Sequence, residues 1–239
     1  MILRYDFHLH SCLSPCGDGD MTPFNIVNMA KLLGFDIIAL TDHNSAGNCM
    51  SAIAAGEQIG LTVIPGMELS TAEEIHTVCL FPDMPAIDAF SRIVRESLPP
   101  IKNKPDVFGC QLLMDEADGI LGEEENLLIA ASSITIDDLP ALCREYGGFC
   151  YPAHIDRSSF SILSNLGFIT ADMGFSCAEV SPHGNLVALT SSNPDLARMR
   201  IIQSSDAHYL ENMTEPMDRI EADECTAKAV IKALMQLNH

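Results

Sequence analysis

The sequence predicts an α/β fold, and three observations predict it: strand and helix patterns alternate, the run before Thr41 is continuously apolar, and polar residues gather at the strand ends. Residues 2–7 (ILRYDF) read as the first strand, ending at His8 and His10. Thr22-Pro23 opens a helix as N-cap and first-turn proline, and Ile26, Met29, Ala30 and Leu33 follow at helical spacing up to Gly34. The run Asp36 to Leu40 reads as a buried parallel strand that stops at Thr41-Asp42-His43. A second helix over residues 47–59 closes at Gly60, and Leu61 to Ile64 forms a third strand running into Gly66-Met67-Glu68.

Ile75 to Phe81 is a further strand and carries His76. From Pro82 to Gly148 the regularity weakens, with helices flanking Pro99-Pro100 and an acidic stretch at Glu123-Glu124-Glu125. Residues 82–148 are therefore expected to form an inserted helical cap, leaving 1–81 and 149–239 as one catalytic unit. Three later strands end in polar residues: Gly148 to Tyr151 at Pro152-Ala153-His154, Cys177 to Val180 at Ser181-Pro182-His183, and Arg200 to Gln203 at Ser204-Ser205-Asp206-Ala207-His208. A last helix is predicted over 224–237.

The chain of 239 residues is 47% apolar and 19% charged, which fits a folded globular protein and excludes a disordered or fibrous one. It has no apolar run of membrane-spanning length and no signal-peptide pattern, so a cytoplasmic protein without membrane partners is expected. Nine scattered cysteines lack zinc-knuckle spacing and read as reduced thiols. A formal charge of −20 argues against a broad nucleic-acid face, so the expected partner is a small phosphorylated substrate and not a long nucleic acid. Bound divalent ions would reverse the potential locally.

Of eight histidines, all but His239 lie within or just beyond a predicted strand. In parallel α/β folds those ends converge on one face, so residues far apart in sequence meet in space. Imidazoles alternate there with Asp6, Asp42, Glu68 and Asp206, a donor set suited to zinc, manganese or iron. The spacing of His8-x-His10 and Asp206-x-His208 puts both side chains of each pair on one face of an extended segment. Taken alone, Asp42-His43 also fits a turn, His76 a core histidine, Glu68 a helix-cap acid, and Arg157 and His183 plain loop residues.

The ordered set Asp6-Phe7-His8-Leu9-His10-Ser11, Thr41-Asp42-His43-Asn44, Pro65-Gly66-Met67-Glu68, Ile75-His76, Pro152-Ala153-His154 and Ser204-Ser205-Asp206-Ala207-His208 resembles the PHP (polymerase and histidinol phosphatase) superfamily. That resemblance implies a distorted (β/α)7 barrel with two or three divalent ions (Mn, Zn or Fe) and hydrolysis of phosphate esters. Its ligand pattern places His8, His10, Glu68 and Asp206 on one ion, Glu68, His76 and His154 on a second, and His43 and His208 on a third. For the remaining third-site ligand, counting from His10 selects Cys16, whereas counting back from Thr22-Pro23 selects Asp18; the Asp-Gly pairing favours Asp18.

The implied chemistry is attack of a metal-bridging hydroxide on phosphorus, with His43, Glu68 and Asp206 as the catalytic set and Arg157 and His183 contacting substrate. One alternative is an exonuclease or oligonucleotide phosphatase acting on nucleic-acid ends, and another is a non-catalytic metal-binding regulatory domain. A C–N hydrolase with a bridging lysine is disfavoured, because Lys31, Lys102, Lys104, Lys228 and Lys232 all fall in predicted helices or the cap.

Overall fold

A computed structural model describes residues 1–236; His239 and the predicted helix end at 237 lie outside the described residues. Strands β1 (Ile2–Asp6), β2 (Ile37–Leu40) and β3 (Thr62–Ser70) run parallel, with helices α1 (Pro23–Leu33) and α2 (Cys49–Ile59) as crossovers. The α1 ends follow from local chemistry. The Thr22 hydroxyl accepts the Asn25 N–H at 3.1 Å, and Gly34 stops the helix at φ 87°, a conformation a side chain would strain.

β4 (His76–Leu80) reverses direction and pairs antiparallel with the second half of β3, then with β7 (Phe149–Pro152). Between them come α3 (Met84–Ser97), α4 (Pro105–Phe108), β5 (Leu112–Met114), β6 (Ile120–Glu123) and α5 (Leu139–Glu145). After β7 follow α6 (Ile162–Asn165), β8 (Cys177–Glu179), α7 (Leu186–Ser192), β9 (Arg200–Ile202), β10 (Asp218–Glu221) and α8 (Ala227–Met235). The main sheet has the order β10-β1-β2-β3-β4-β7, and β8 and β9 form a separate parallel pair. Single backbone hydrogen bonds tie that pair back at both sides: Ile155 N to Glu179 O at 2.9 Å, and His10 N to Ala207 O at 3.1 Å. The sheet curls accordingly, and the fold is mixed α/β.

β2 shows why the sheet is buried on both faces. Ile38 and Leu40 join the cluster formed with α1, α2 and α3, whereas Ile37 and Ala39 point the other way, into a cluster sealed by Val230, Ile231 and Leu234 of α8. Strand β3 departs from expectation. Its predicted end at Ile64 lies one residue before pairing switches from β2 to β4 between Pro65 and Gly66, so Glu68 lies inside the strand opposite Val78. Gly66 permits that switch: a Cβ there would sit 2.9 Å from the Cys79 carbonyl and 3.0 Å from Thr41 Cγ2.

The segment 82–148 is not the helical cap expected. α3 packs Ile87, Phe90 and Val94 into the main core, and β5 and β6 form a hairpin pinned to α2. The pins are polar: Ser51 Oγ donates to Met114 O at 2.7 Å, and Asn48 Oδ1 accepts Met114 N at 3.0 Å. β10 was also unpredicted, being a short edge strand whose only buried residue is Ile220. No helix among the described residues is long and apolar enough to cross a membrane.

Candidate metal centre

Glu68 is the hub of the site. Its carboxylate, 1% exposed, lies 3.2 Å from His8 Nε2, 3.4 Å from His10 Nε2, 3.0 Å from His43 Nδ1, 3.0 Å from His76 Nδ1 and 3.1 Å from His154 Nε2. Asp206 faces the same group from β9's end, with Oδ1 3.3 Å from His8 Nε2 and 3.2 Å from His10 Nε2. His208 stacks on His10 with ring centroids 4.2 Å apart. These eight residues come from six strands: His8 and His10 follow β1, His43 follows β2, Glu68 lies in β3, His76 opens β4, His154 follows β7, and Asp206 and His208 follow β9.

Outer hydrogen bonds aim the imidazoles inward. His8 Nδ1 lies 2.9 Å from Glu179 Oε1, which leaves Nε2 to face the cluster. His10 Nδ1 lies 2.9 Å from Ser14 Oγ, and that hydroxyl donates to Asp42 Oδ1 at 2.7 Å. His208 Nδ1 lies 2.9 Å from the Asp206 carbonyl. Asp42 and Asp6 thus brace the site from outside: Asp42 also accepts Ser11 N at 2.7 Å, and Asp6 accepts His8 N at 3.1 Å. Asn44, His154 and Asp206 hold positive φ of 48°, 28° and 51°, a local strain of the kind that collects at functional sites.

Electrostatics match a cation site. Burial pushes His8 down, yet Glu179, Asp206 and Glu68 together hold it well above the usual imidazole range. Burial likewise opposes a proton on His43, but Glu68 pushes it up to about 10. Burial and the neighbouring His208 hold His10 well below the usual range. Burial would raise Glu68, but His76, His8 and His43 keep its carboxylate well below ordinary acids. Positive charge on some imidazoles therefore balances the buried carboxylates, and divalent ions would supply the same neutralisation in exchange for those protons.

The donor set fits divalent ions by a further observation. His43 Nδ1, His76 Nε2, His154 Nδ1 and both Asp206 oxygens are buried without an aligned hydrogen bond, although His43 Nδ1 and the Asp206 oxygens have charged neighbours in reach. Such atoms are costly unless a ligand satisfies them. Three groups bring nitrogen or oxygen donors within 4.8 Å of one another: His8, His10 and Glu68; His43, Glu68 and His76; and His10, His43 and His208.

The Asp18 carboxylate accepts the Asp20 N–H at 2.9 Å and closes its own turn, while its backbone N–H donates to His208 O at 2.9 Å, so Asp18 lies beside the cluster with its carboxylate engaged elsewhere. Burial raises the Cys16 thiol, but His208 and His43 bring it down to about 7. Arg157 reaches the cluster, with a guanidinium nitrogen 2.7 Å from Asp206 Oδ2. His183 does not; it lines a cleft of about 620 Å³ together with Arg157, Ser205 and Asp206. Lys31, Lys102 and Lys232 contact Gly60, Glu125 and Asp223 instead of the cluster.

Glu179 is the residue the sequence reading missed. The signal was its place at the end of β8, overshadowed by Ser181-Pro182-His183 just beyond it. Glu179→Gln is expected to weaken metal binding by roughly 10- to 100-fold, as loss of an imidazole-orienting carboxylate does. Equilibrium dialysis checks it, and unchanged affinity would remove Glu179 from the site.

Comparison with known proteins agrees with this geometry. The PHP domain family model matches residues 6–171. A 5'-3' exoribonuclease of Haemophilus influenzae is 34% identical over 104 residues, 40% of this chain and 37% of that protein. A 3',5'-nucleoside bisphosphate phosphatase of Chromobacterium violaceum is 33% identical over 96 residues, 38% of this chain and 33% of that protein. The match thus spans about a third of the length of each of these two relatives. The lesion-specific endonuclease Q of Pyrococcus furiosus superposes with a TM-score of 0.73 at 16% identity, over 98% of this chain and 56% of that one. Endonuclease Q in complex with a 27-mer duplex substrate gives 0.68 at 17%, again over 98% and 56%.

The expectation of a small phosphorylated substrate and no long nucleic acid is overturned by the relatives named exoribonucleases and the neighbour holding a duplex. Net charge alone does not decide such recognition, because divalent ions bound in a cleft would reverse the potential locally. The match over residues 6–171, more than half of the chain, establishes that this protein belongs to the PHP domain family.

Proposed function

We propose that the chain is a phosphoesterase dependent on divalent metal ions that hydrolyses phosphoester bonds in nucleic-acid substrates, at ends or in short chains. The observation that carries the reading is Glu68, one buried carboxylate within 3.4 Å of five imidazoles. His8, His10, Glu68 and Asp206 would hold one ion, Glu68, His76 and His154 a second, and His43 and His208 a third, with Asp18 or Cys16 of the adjoining loop as its further ligand, the ions drawn from manganese, zinc or iron. Such ions supply Lewis-acid stabilisation of the phosphoryl group and lower the pKa of water.

The chain's own groups bind and orient. Arg157, half exposed beside Asp206, is placed to take phosphoryl oxygens with its planar fork, and His183 lines the same cleft. Asp206, which lines that cleft, would serve with Glu68 and His43 as the catalytic set. In architecture we take 1–81 and 149–239 as a distorted (β/α)7 barrel, with β1, β2, β3, β4, β7, β8 and β9 around it and 82–148 inserted. The tie of Ile155 to Glu179 and of His10 to Ala207 supports that ring.

The reading is tested by incubating the metal-loaded protein with end-labelled oligonucleotides and a 3',5'-bisphosphate. Cleavage that chelator abolishes and manganese, zinc or iron restores is expected; metal uptake without cleavage would instead favour a regulatory metal-binding domain. Arg157→Ala should raise KM more than it lowers kcat, because it removes a contact made in the ground state. An unchanged KM would return Arg157 to an ordinary loop role.

A further inference from the structure

We propose that Phe160 is a stacking platform for the nucleobase next to the scissile phosphate, an inference that rests on the nucleic-acid reading above. Phe160 and Arg157 lie on the one loop that follows β7, and they flank the cluster on two sides. Arg157 reaches Asp206, whereas the Phe160 ring stacks on His76 with centroids 4.9 Å apart and planes at 16°. One face of the ring rests on His76, and the residue as a whole stays 44% exposed.

Exposure alone would not single it out, since Phe24 and Phe168 are exposed to 40% and 50%. Position and constraint do. Phe160 holds φ at 55°, an unfavourable conformation for an aromatic residue, and its carbonyl accepts the His76 N–H at 2.9 Å. The next residue locks the loop: Ser161 Oγ donates to Arg157 O at 2.7 Å and accepts Ser164 N at 3.1 Å at the start of α6. A ring held this firmly, one aromatic layer from the metal ligands and partly open, is preorganised for a flat partner.

The partner chemistry follows from what else the loop offers. A guanidinium for phosphate and an aromatic face for a base, both on residues 157–160, match the two ends of a single nucleotide. Every base has a π-face, so the platform selects for the presence of a base and not for its identity. It would therefore separate nucleotide esters from base-free sugar phosphates.

The test uses short oligonucleotides carrying 2-aminopurine at the 5' or the 3' end, with a phosphorothioate at the adjoining linkage, titrated into the metal-loaded protein. Fluorescence quenching on binding is expected for at least one end. Phe160→Leu, which keeps bulk and loses the ring, should weaken that binding about 5- to 150-fold, the range of one base–aromatic stack. Phe160→Trp should restore it, and an oligonucleotide lacking the terminal base should bind wild type and Phe160→Leu alike. No quenching in wild type, or equal weakening for the base-free oligonucleotide, would overturn the platform and leave Phe160 a shield for His76. Cleavage of unmodified oligonucleotides, measured in parallel, separates the two claims. Quenching without cleavage would remove the phosphoesterase reading, and cleavage indifferent to Phe160→Leu would remove the platform.

Discussion

Glu68→Gln is expected to lower turnover of a phosphoester by on the order of 10³-fold or more, the loss of several kcal/mol of charge stabilisation. The amide is nearly isosteric, so the change isolates charge from shape. Among the described residues Glu68 is the one carboxylate grouped with both His8, His10 and His43, His76, so its loss removes the shared ligand of two candidate ions at once. It also withdraws the partner that pushes His43 up to about 10, and the imidazoles are then free to lose their protons, so the fold should survive. Turnover with metal titration checks this, alongside circular dichroism. Near wild-type turnover with intact fold would mean that Glu68 does not bridge ions.

Asp206→Asn should be comparably severe in activity and mild in stability, and Asp206→Ala should be severe in both. The distinction comes from the backbone. Asp206 sits at φ 51°, where Asn is tolerated far better than Ala. The alanine variant therefore adds strain of about 1–2 kcal/mol to the loss of a ligand. Asn keeps the conformation but loses the charge that faces His8, His10 and Arg157. Thermal melts of both variants, compared with their phosphoesterase rates, separate the two effects. Equal melting temperatures for the two would show that the positive φ carries no strain.

The sequence makes some of this legible because the relevant signals are local. Thr22-Pro23 and Gly34 bound α1 by capping chemistry that acts within four residues, and the apolar run of β2 announces a strand buried on both faces. The period of two in His8-x-His10 needs no tertiary information to put both rings on one side. Glu179 is different. Its role exists only once β8 swings beside β1's end, so nothing in its neighbours marks it.

β3 misled for a physical reason. Pro65-Gly66 has the composition of a turn, but here Pro65 accepts Phe81 N at 2.9 Å and Gly66 lets the strand change partners without stopping. The hairpin β5–β6 was hidden because its second strand, Ile120–Glu123, is mostly exposed and carries no apolar alternation. The Asp-Gly pairing favours Asp18 over Cys16, and in the folded loop the Asp18 carboxylate turns toward the Asp20 N–H.

The most direct measurement is anomalous diffraction from crystals grown with manganese or zinc, at wavelengths on either side of the metal edge. Peaks should lie among Glu68, His8, His10 and Asp206, with at least one more beside His76 and His154. Peaks confined to surface carboxylates, in crystals of a protein that still cleaves its substrate, would contradict the account.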